Sequence, residues 1–576
     1  MTTRTPFRIL VCTAVLLPLL LSASSSPAQE ADDATPMREP KVKTLLGSQT
    51  LAQAAVQELS DEQVDLIQEQ LVNALADLYF AKAPNDTLKE FLTANPDIRK
   101  HFILAIDPQH DDVSRVFEIF NDLVTKYPKQ AKRYHHLFIA FAVVFDNPKM
   151  PVRPTVLGSP VPPAPSMDDS VEYYLKGMKL MLYSADNMRW PFLIHVVDCD
   201  LPIIERKWAL SQFKSRRKNL AGTYRSVPYD WDKITGVPDM QDHPYVLPNL
   251  KKLGGICVDQ AYFASRVCKA FGVPSQGFVG TGNTGIGHAW VGFFTIRKSS
   301  PYLDFYGRYR EDLYYVGTYT NPQTGRRETD RQMECAFAAA GRSYENMVKA
   351  QALMRVAQLL YNDDHETAIA LAEKATQVNP YVASAWQLLA QAVADGKIEP
   401  GQRQRLFDEL MKSCAGLPDL VFEVFVKFLG PWEEKTWKNR MKIYDRAFAL
   451  FKGRPDLQIQ LREQQGDELV AAGNSKFALV VYGKTAQALP KEGTRMLGLA
   501  RKAEDIFRDQ GRLGHAVTFY ESVIRFVPRK RSRFLSPAYV ELATSLANLC
   551  EEIGDEKRAR KWRRSATLRG GDDDDD

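Results

Sequence analysis

From about Gln49 to Asn147 apolar residues recur at intervals of three and four, as in VSRVFEIFNDLVTKYP and YHHLFIAFAVVF. That period predicts a helical N-terminal region. The prolines of NPKMPVRPTVLGSPVPPAPS, Asn147 to Ser166, cannot continue a helix, so a linker or wrapping arm is expected. Helix resumes in VEYYLKGMKLMLY, with Ser166 or Asp168 as its cap. Between Gly277 and Tyr319 the period changes. GFVG, HAWVGFF and YLDFYGRY alternate, are rich in aromatics and valine, and are separated by glycine clusters and by the polar turn RKSSP, which predicts strands.

The C-terminal third repeats itself. Ala368, Ala478, Ala516 and Ala559 are each followed by a second small or β-branched residue, Ala375, Thr485, Val523 and Ala566. Pro380, Pro490 and Pro528 follow three of them at a common offset, and Gly473, Gly511 and Gly554 sit five residues before their alanine, where two helices must turn tightly. Trp386, Leu389 and Ala390 follow Pro380. These offsets, over roughly Ala352 to Ala566, resemble the tetratricopeptide repeat of about 34 residues per unit, with insertions where the alanines are 38 and 43 residues apart. The resemblance implies stacked helical hairpins, an α-α superhelix, carrying a protein partner.

The first residues, MTTRTPFRILVCTAVLLPLLLSASSSPAQE, place Arg4 and Arg8 before an apolar run from Ile9 to Leu21 and then small residues. The run is too short to span a bilayer and suits a secretory leader over residues 1–28, cleaved after Ala28, so a periplasmic or extracellular protein is expected. No transmembrane segment is expected once the leader is removed. At 576 residues the chain exceeds one core, and three or four domains are expected at roughly 150 residues each. A formal charge of +5 is too weak to indicate nucleic acid or a membrane surface. The basic runs PRKRSR and KRARKWRR read as solvated helix faces beside an acidic tail over residues 570–576, and no nucleic-acid partner is expected. Past the leader the cysteines, Cys199, Cys257, Cys268, Cys335, Cys414 and Cys550, are too scattered for a disulfide scaffold and read as mostly unpaired. With no CxxC, HExxH or Cys/His cluster at zinc spacing, neither metal nor cofactor is expected. His135 and His136 read as packing or surface residues. Gly280, Gly282 and Gly285 match GxGxxG but run into a strand, which excludes a dinucleotide fingerprint.

Chemistry concentrates in LGGICVDQAYFASRVCKAFGVP, Leu253 to Pro274. Gly254 and Gly255 precede a helix, Gly272 stops it and Pro274 follows. Cys268, in the last turn beside Ala264, Val267 and Phe271, reads as core. Cys257 lies in the first turn, where exposed N–H groups and the positive helix end are expected to lower a thiol pKa of about 8.5. The paired glycines are expected to let another backbone, such as a substrate's, pass close to the sulfur. His288 opens HAWVGFF behind a glycine-rich loop that looks mobile enough to admit water, and Asp304 lies in the next strand; together they form a nucleophile, base and orienter set. The polar turn centres near Lys298, whereas a direct His288–Asp304 pair needs a turn near Ile296, so the two are expected to meet through a diagonal contact or a bulge.

GGICVDQA at a helix start, GVPSQGFVG, GHAWVGFF and an Asp-bearing strand together resemble the transglutaminase-like superfamily, relatives of the papain-like cysteine proteases, over Trp190 to Arg326. The resemblance implies an α+β fold, a papain-like/transglutaminase-like catalytic core over residues 167–340. A helical N-terminal region over 29–147 and a proline-rich linker over 148–166 precede it, and the helical repeats occupy 345–569. It implies that Cys257, His288 and Asp304 are catalytic, with the Cys257 backbone N–H as one oxyanion donor and Trp231, Tyr245 or Asn249 as the other. The expected activity is attack on a peptide or glutamine carboxamide through a thioester, ending as protease or amidase. The alternatives are an amine-transferring, cross-linking transglutaminase and a catalytically silent peptide-binding scaffold.

Overall fold

The computed structural model describes residues 59–147, 159–283, 285–297, 300–308, 314–429, 437–489, 491–531 and 534–567. The expected leader, most of the proline-rich linker and the acidic tail lie outside the described residues. The protein is mostly helical with one small five-stranded antiparallel sheet, an α+β composition.

The chain forms two compact units, and neither ends at the expected boundary near residue 340. One takes the chain through Val279, then Ala289–Arg308 and Thr318–Ala392; the other takes Gly280–His288, Tyr309–Gly317 and everything from Val393. The loop before His288 therefore belongs to the unit built from the later repeats.

In the first unit, helices α1 (Asp61–Lys82), α2 (Pro96–Ala105), α3 (Val113–Lys126) and α4 (His135–Phe145) form the N-terminal layer. Ser60 and Gln63 cap α1 reciprocally, satisfying two N–H groups that a helix start otherwise leaves open. The three-four spacing of α3 buries Val116, Phe117, Phe120 and Leu123 on one face, whereas α4 is apolar all round and buried from His136 to Val144. Helix α5 (Trp190–Val197) packs on α4. Helix α6 (Cys257–Ala270) leads into strands β1 (Ser275–Thr281), β2 (Gly287–Arg297), β3 (Ser300–Tyr306), β4 (Gly317–Thr320) and β5 (Arg327–Thr329), ordered β3-β2-β1-β4-β5. Gly280, Gly282 and Gly285 thus lie at the end of β1 and in the loop between two strands. Helix α7 (Asp330–Arg342) packs against β3, and the hairpin of α8 (Tyr344–Leu360) and α9 (His365–Val378) returns to α1. Arg355 donates from α8 to the Tyr79 hydroxyl at 3.1 Å and to the Ile106 carbonyl at 2.9 Å.

The second unit contains helical hairpins, among them α10 (Pro455–Ala471) with α11 (Ser475–Ala488), α12 (Gly493–Asp509) with α13 (Leu513–Ile524), and α14 (Pro537–Glu552) with α15 (Glu556–Thr567). Gly473, Gly511 and Gly554 join the members of each pair at φ of 73°, 65° and 77°, left-handed values that favour glycine. Ala478, Ala516 and Ala559 lie fully buried where the paired helices approach. Among the described residues no helix is long and apolar enough to cross a membrane.

Candidate active site

The start of α6 is fixed by the segment 228–230 running beside it. Gly255 donates its N–H to the Pro228 carbonyl at 2.9 Å, and Asp230 donates to the Gly255 carbonyl at 3.0 Å. Gly254 sits at φ 92°, and a Cβ there would meet the Pro228 oxygen at 2.7 Å. The close approach anticipated for the paired glycines is thus made by the chain itself, and it does not mark a substrate path. Asp259, fully buried in the first turn, accepts from the Ile256 N–H at 2.7 Å, from the Tyr245 hydroxyl at 2.7 Å and from Lys233 Nζ at 2.7 Å. These donors lock the helix start and the sulfur that it carries.

Cys257 is only half-buried, yet its surroundings are dense enough that burial pushes its thiol above the ordinary range. The nearby Asp259 carboxylate pushes the same way, and the backbone N–H groups of Ala289, Val258 and Cys257 nearby oppose it. The expected lowering by the helix end is therefore corrected: burial outweighs the N–H groups. Cys268 is fully buried and is pushed up to about 12, also by burial, as a core thiol should be.

The Ala289 contact sets Cys257 against the residue that follows His288. Tyr224 holds the same residue from its other side of the peptide, donating its hydroxyl to the Ala289 carbonyl at 2.9 Å. In the second unit the half-buried His288 ring lies 4.9 Å from the Tyr314 ring, tilted by 38°. The loop before His288 is anchored. Thr494 donates its N–H to the Asn283 carbonyl at 2.9 Å, Asn283 Nδ2 donates to the Lys491 carbonyl at 2.6 Å, and Gly282 donates to Ile286 across the loop at 3.0 Å. Its glycines accordingly serve a tight, held turn, in place of the mobile loop that composition suggested.

Asp304 lies elsewhere. β2 and β3 pair without a bulge from Arg297↔Ser300 to Val291↔Tyr306, which sets Asp304 opposite Phe293. Five residues of strand, ~17 Å, separate Phe293 from His288. Asp304 accepts from Arg297 Nη2 at 2.6 Å and from the Phe305 N–H at 2.9 Å. The assignment of Asp304 as the orienter of His288 is corrected accordingly: the register that starts at Arg297↔Ser300 pairs it with Phe293. Asp304→Asn is expected to leave kcat within about twofold of wild type and to shift stability by no more than ~1 kcal/mol, the upper range for an exposed ion pair. Steady-state kinetics with a thermal melt would show this, and a large kcat loss would restore Asp304 to the site.

Of the proposed oxyanion donors, Tyr245 spends its hydroxyl on Asp259, and Asn249 donates to the Pro244 carbonyl at 2.9 Å. Trp231 is 53% exposed and directly follows the segment bonded to Gly255. Sequence patterns did not reveal the buried ion pairs at the far end of α6. Lys269 pairs with Asp198, and Arg266 Nε is 2.5 Å from Asp200 Oδ1. Gln276 Nε2 also donates to Asp198, at 2.7 Å. Burial lowers the Lys269 ammonium to about 8 against the pull of Asp198. Breaking such a pair costs about 3–5 kcal/mol, which ties α6 to the chain after α5.

No family model matches this chain, and no curated protein does. The site therefore has to be judged on its own chemistry.

Proposed function

We propose that the chain is an exported, transglutaminase-like cysteine enzyme acting on peptide or carboxamide bonds. The observation that carries this reading is the thiol of Cys257, at a locked helix start, near enough to the backbone N–H of Ala289, the residue next to His288, for that N–H to favour its thiolate. Because burial holds that thiol protonated at neutral pH, His288 acts as a general base during attack, with no pre-formed thiolate–imidazolium pair. The sulfur adds to the carbonyl carbon as its proton passes to His288. The oxyanion is stabilised by the Cys257 N–H and by Trp231, whose indole is a donor only. Collapse expels the amine or ammonia, protonated by His288, and leaves a thioester. Water then attacks with His288 again as base, releasing the acid and the free thiol.

Hydrolysis is preferred to amine transfer because it demands no acceptor channel. A second reading, a silent peptide-binding module, is favoured by the position of Asp304, which the strand register sets opposite Phe293. The repeats suit a protein partner: a cleft of about 320 Å³ there is lined by Met441, Phe448, Leu469, Phe477, Val480 and Lys484. Phe477 and Val480 are 52% and 48% exposed in that cleft.

The test is partitioning. The protein is incubated with glutamine-containing peptides and a tagged primary amine, and tagged product is compared with released termini and glutamate. New termini or glutamate are expected to dominate. Stable amine adducts in their place would make the enzyme a transferase, and peptide binding with neither product would support the silent module.

A further inference from the structure

Three histidines converge in the N-terminal layer, where two adjacent ones read from sequence as packing residues. His101, in α2, joins His135 and His136 of α4, and one nitrogen from each lies within 4.8 Å of the others. His101 Nδ1 is 3.4 Å from His135 Nε2. The outer nitrogens of both rings are committed to acceptors: His101 Nε2 is 3.2 Å from Glu345 Oε1, and His135 Nδ1 is 2.9 Å from the Lys132 carbonyl. A carbonyl only accepts. So does an ionised carboxylate, which is what Glu345 presents. Each outer nitrogen therefore carries its ring's proton. In the neutral rings two bare lone pairs then face each other, an arrangement that repels unless a cation lies between them.

The cation is a proton or a metal ion. A tetrahedral ion with bonds of about 2.0–2.1 Å to nitrogen spans ~3.3–3.4 Å between two ligand atoms, the spacing found here. Glu345 behind His101 and a backbone carbonyl behind His135 are the outer partners that orient metal-binding imidazoles. His136 supplies a third nitrogen: its Nδ1 is buried with no hydrogen-bond partner, and its ring centroid lies 4.1 Å from that of His135 and 4.9 Å from that of His101. Two cations stand nearby. Lys100 Nζ is 2.8 Å from Glu345 Oε2, and Arg189 Nη1 is 3.0 Å from His136 Nε2. Ligation through His136 Nδ1 moves that ring's proton to Nε2 and displaces the Arg189 hydrogen bond, while Arg189 keeps its place over the Tyr344 ring, 5.1 Å from the centroid. The half-buried His135 gives an ion its entry.

We propose that His101, His135 and His136 bind a divalent transition ion of the zinc type, joining α2 to α4. Imidazole ligands suit zinc, nickel and copper, and three of them leave a coordination position for water.

The full chain is titrated with Zn²⁺ by calorimetry and with Co²⁺ by visible absorption, in a Cys257→Ser background that removes the one half-exposed thiol among the described residues. One ion per chain is expected, with cobalt d–d bands and no thiolate-to-metal charge-transfer band, together with a zinc-dependent rise in melting temperature. His101→Ala should abolish binding, as should His135→Ala, whose half-buried position makes loss of folding a lesser concern. Glu345→Gln should weaken affinity by about 10–100-fold, and Arg189→Ala should strengthen it. Absence of saturable binding in a folded protein would mean that the facing nitrogens share a proton, and binding unchanged in folded His135→Ala would place the ion elsewhere; either result overturns the site.

Discussion

Cys257→Ser is expected to lower kcat on peptide or carboxamide substrates by on the order of 10⁴–10⁶-fold, the range for loss of a covalent nucleophile, while the protein stays folded. The hydroxyl occupies nearly the same volume at the start of α6, and the bonds that lock that start run through Asp259, Gly255 and Asp230, none of them through the sulfur. The accompanying measurement is iodoacetamide labelling against pH. Because burial raises the Cys257 thiol, its labelling midpoint should lie above the free-thiol value of about 8.5. It should still precede Cys268, which is fully buried and raised to about 12. The sign for catalysis follows: the step needs the thiol's proton, which His288 takes up and passes to the leaving amine, so kcat/KM should fall on the alkaline side as pH rises through the raised thiol pKa. A midpoint below that of a free thiol would mean that the helix end outweighs burial after all. Turnover surviving Cys257→Ser would remove the nucleophile from the mechanism.

How far the sequence anticipates the structure depends on the range of the interaction. Features set by neighbouring residues are legible. Gly254 before Cys257 and Gly272 after Ala270 bound α6, and both have positive φ. Gly473, Gly511 and Gly554 end their helices as their spacing from the buried alanines implies. The pairing of β2 with β3 from Arg297↔Ser300 places Asp304 opposite Phe293 with no bulge, and a one-residue change of register would turn each side chain of β3 to the other face. Features set by tertiary packing are not legible. His101 stands 34 residues before His135, and only the packing of α2 beside α4 brings their nitrogens together. The raised thiol of Cys257 has the same origin, because helix position is written locally whereas burial is the sum of everything packed around it.

Removing Val393 onward should abolish turnover even in a truncation that folds, contrary to a plan in which the repeats only recruit partners. The loop 280–288 belongs to the same compact unit as those repeats and makes its outward hydrogen bonds there, from Asn283 to Lys491 and from Thr494 to Asn283. Tyr315, next to the ring that contacts His288, donates its hydroxyl to the buried Glu492 at 2.7 Å. The repeat turn at residues 491–494 thus holds the base of the mechanism, and a misplacement of about 1 Å in a reacting group can cost ~100-fold in rate. A single substitution separates this effect from loss of the domain. Thr494 is the second residue of α12, where an N–H has no acceptor within its own helix and proline is tolerated. Both its N–H and its hydroxyl donate to the Asn283 carbonyl, so Thr494→Pro deletes the clamp and leaves the helix. The expected result is a fall in kcat of about 10–100-fold with nearly unchanged KM and melting temperature, since the substrate's own contacts are not touched. Wild-type kcat in that variant, or in a folded truncation, would show that His288 needs no support from the repeats or takes no part in the chemistry.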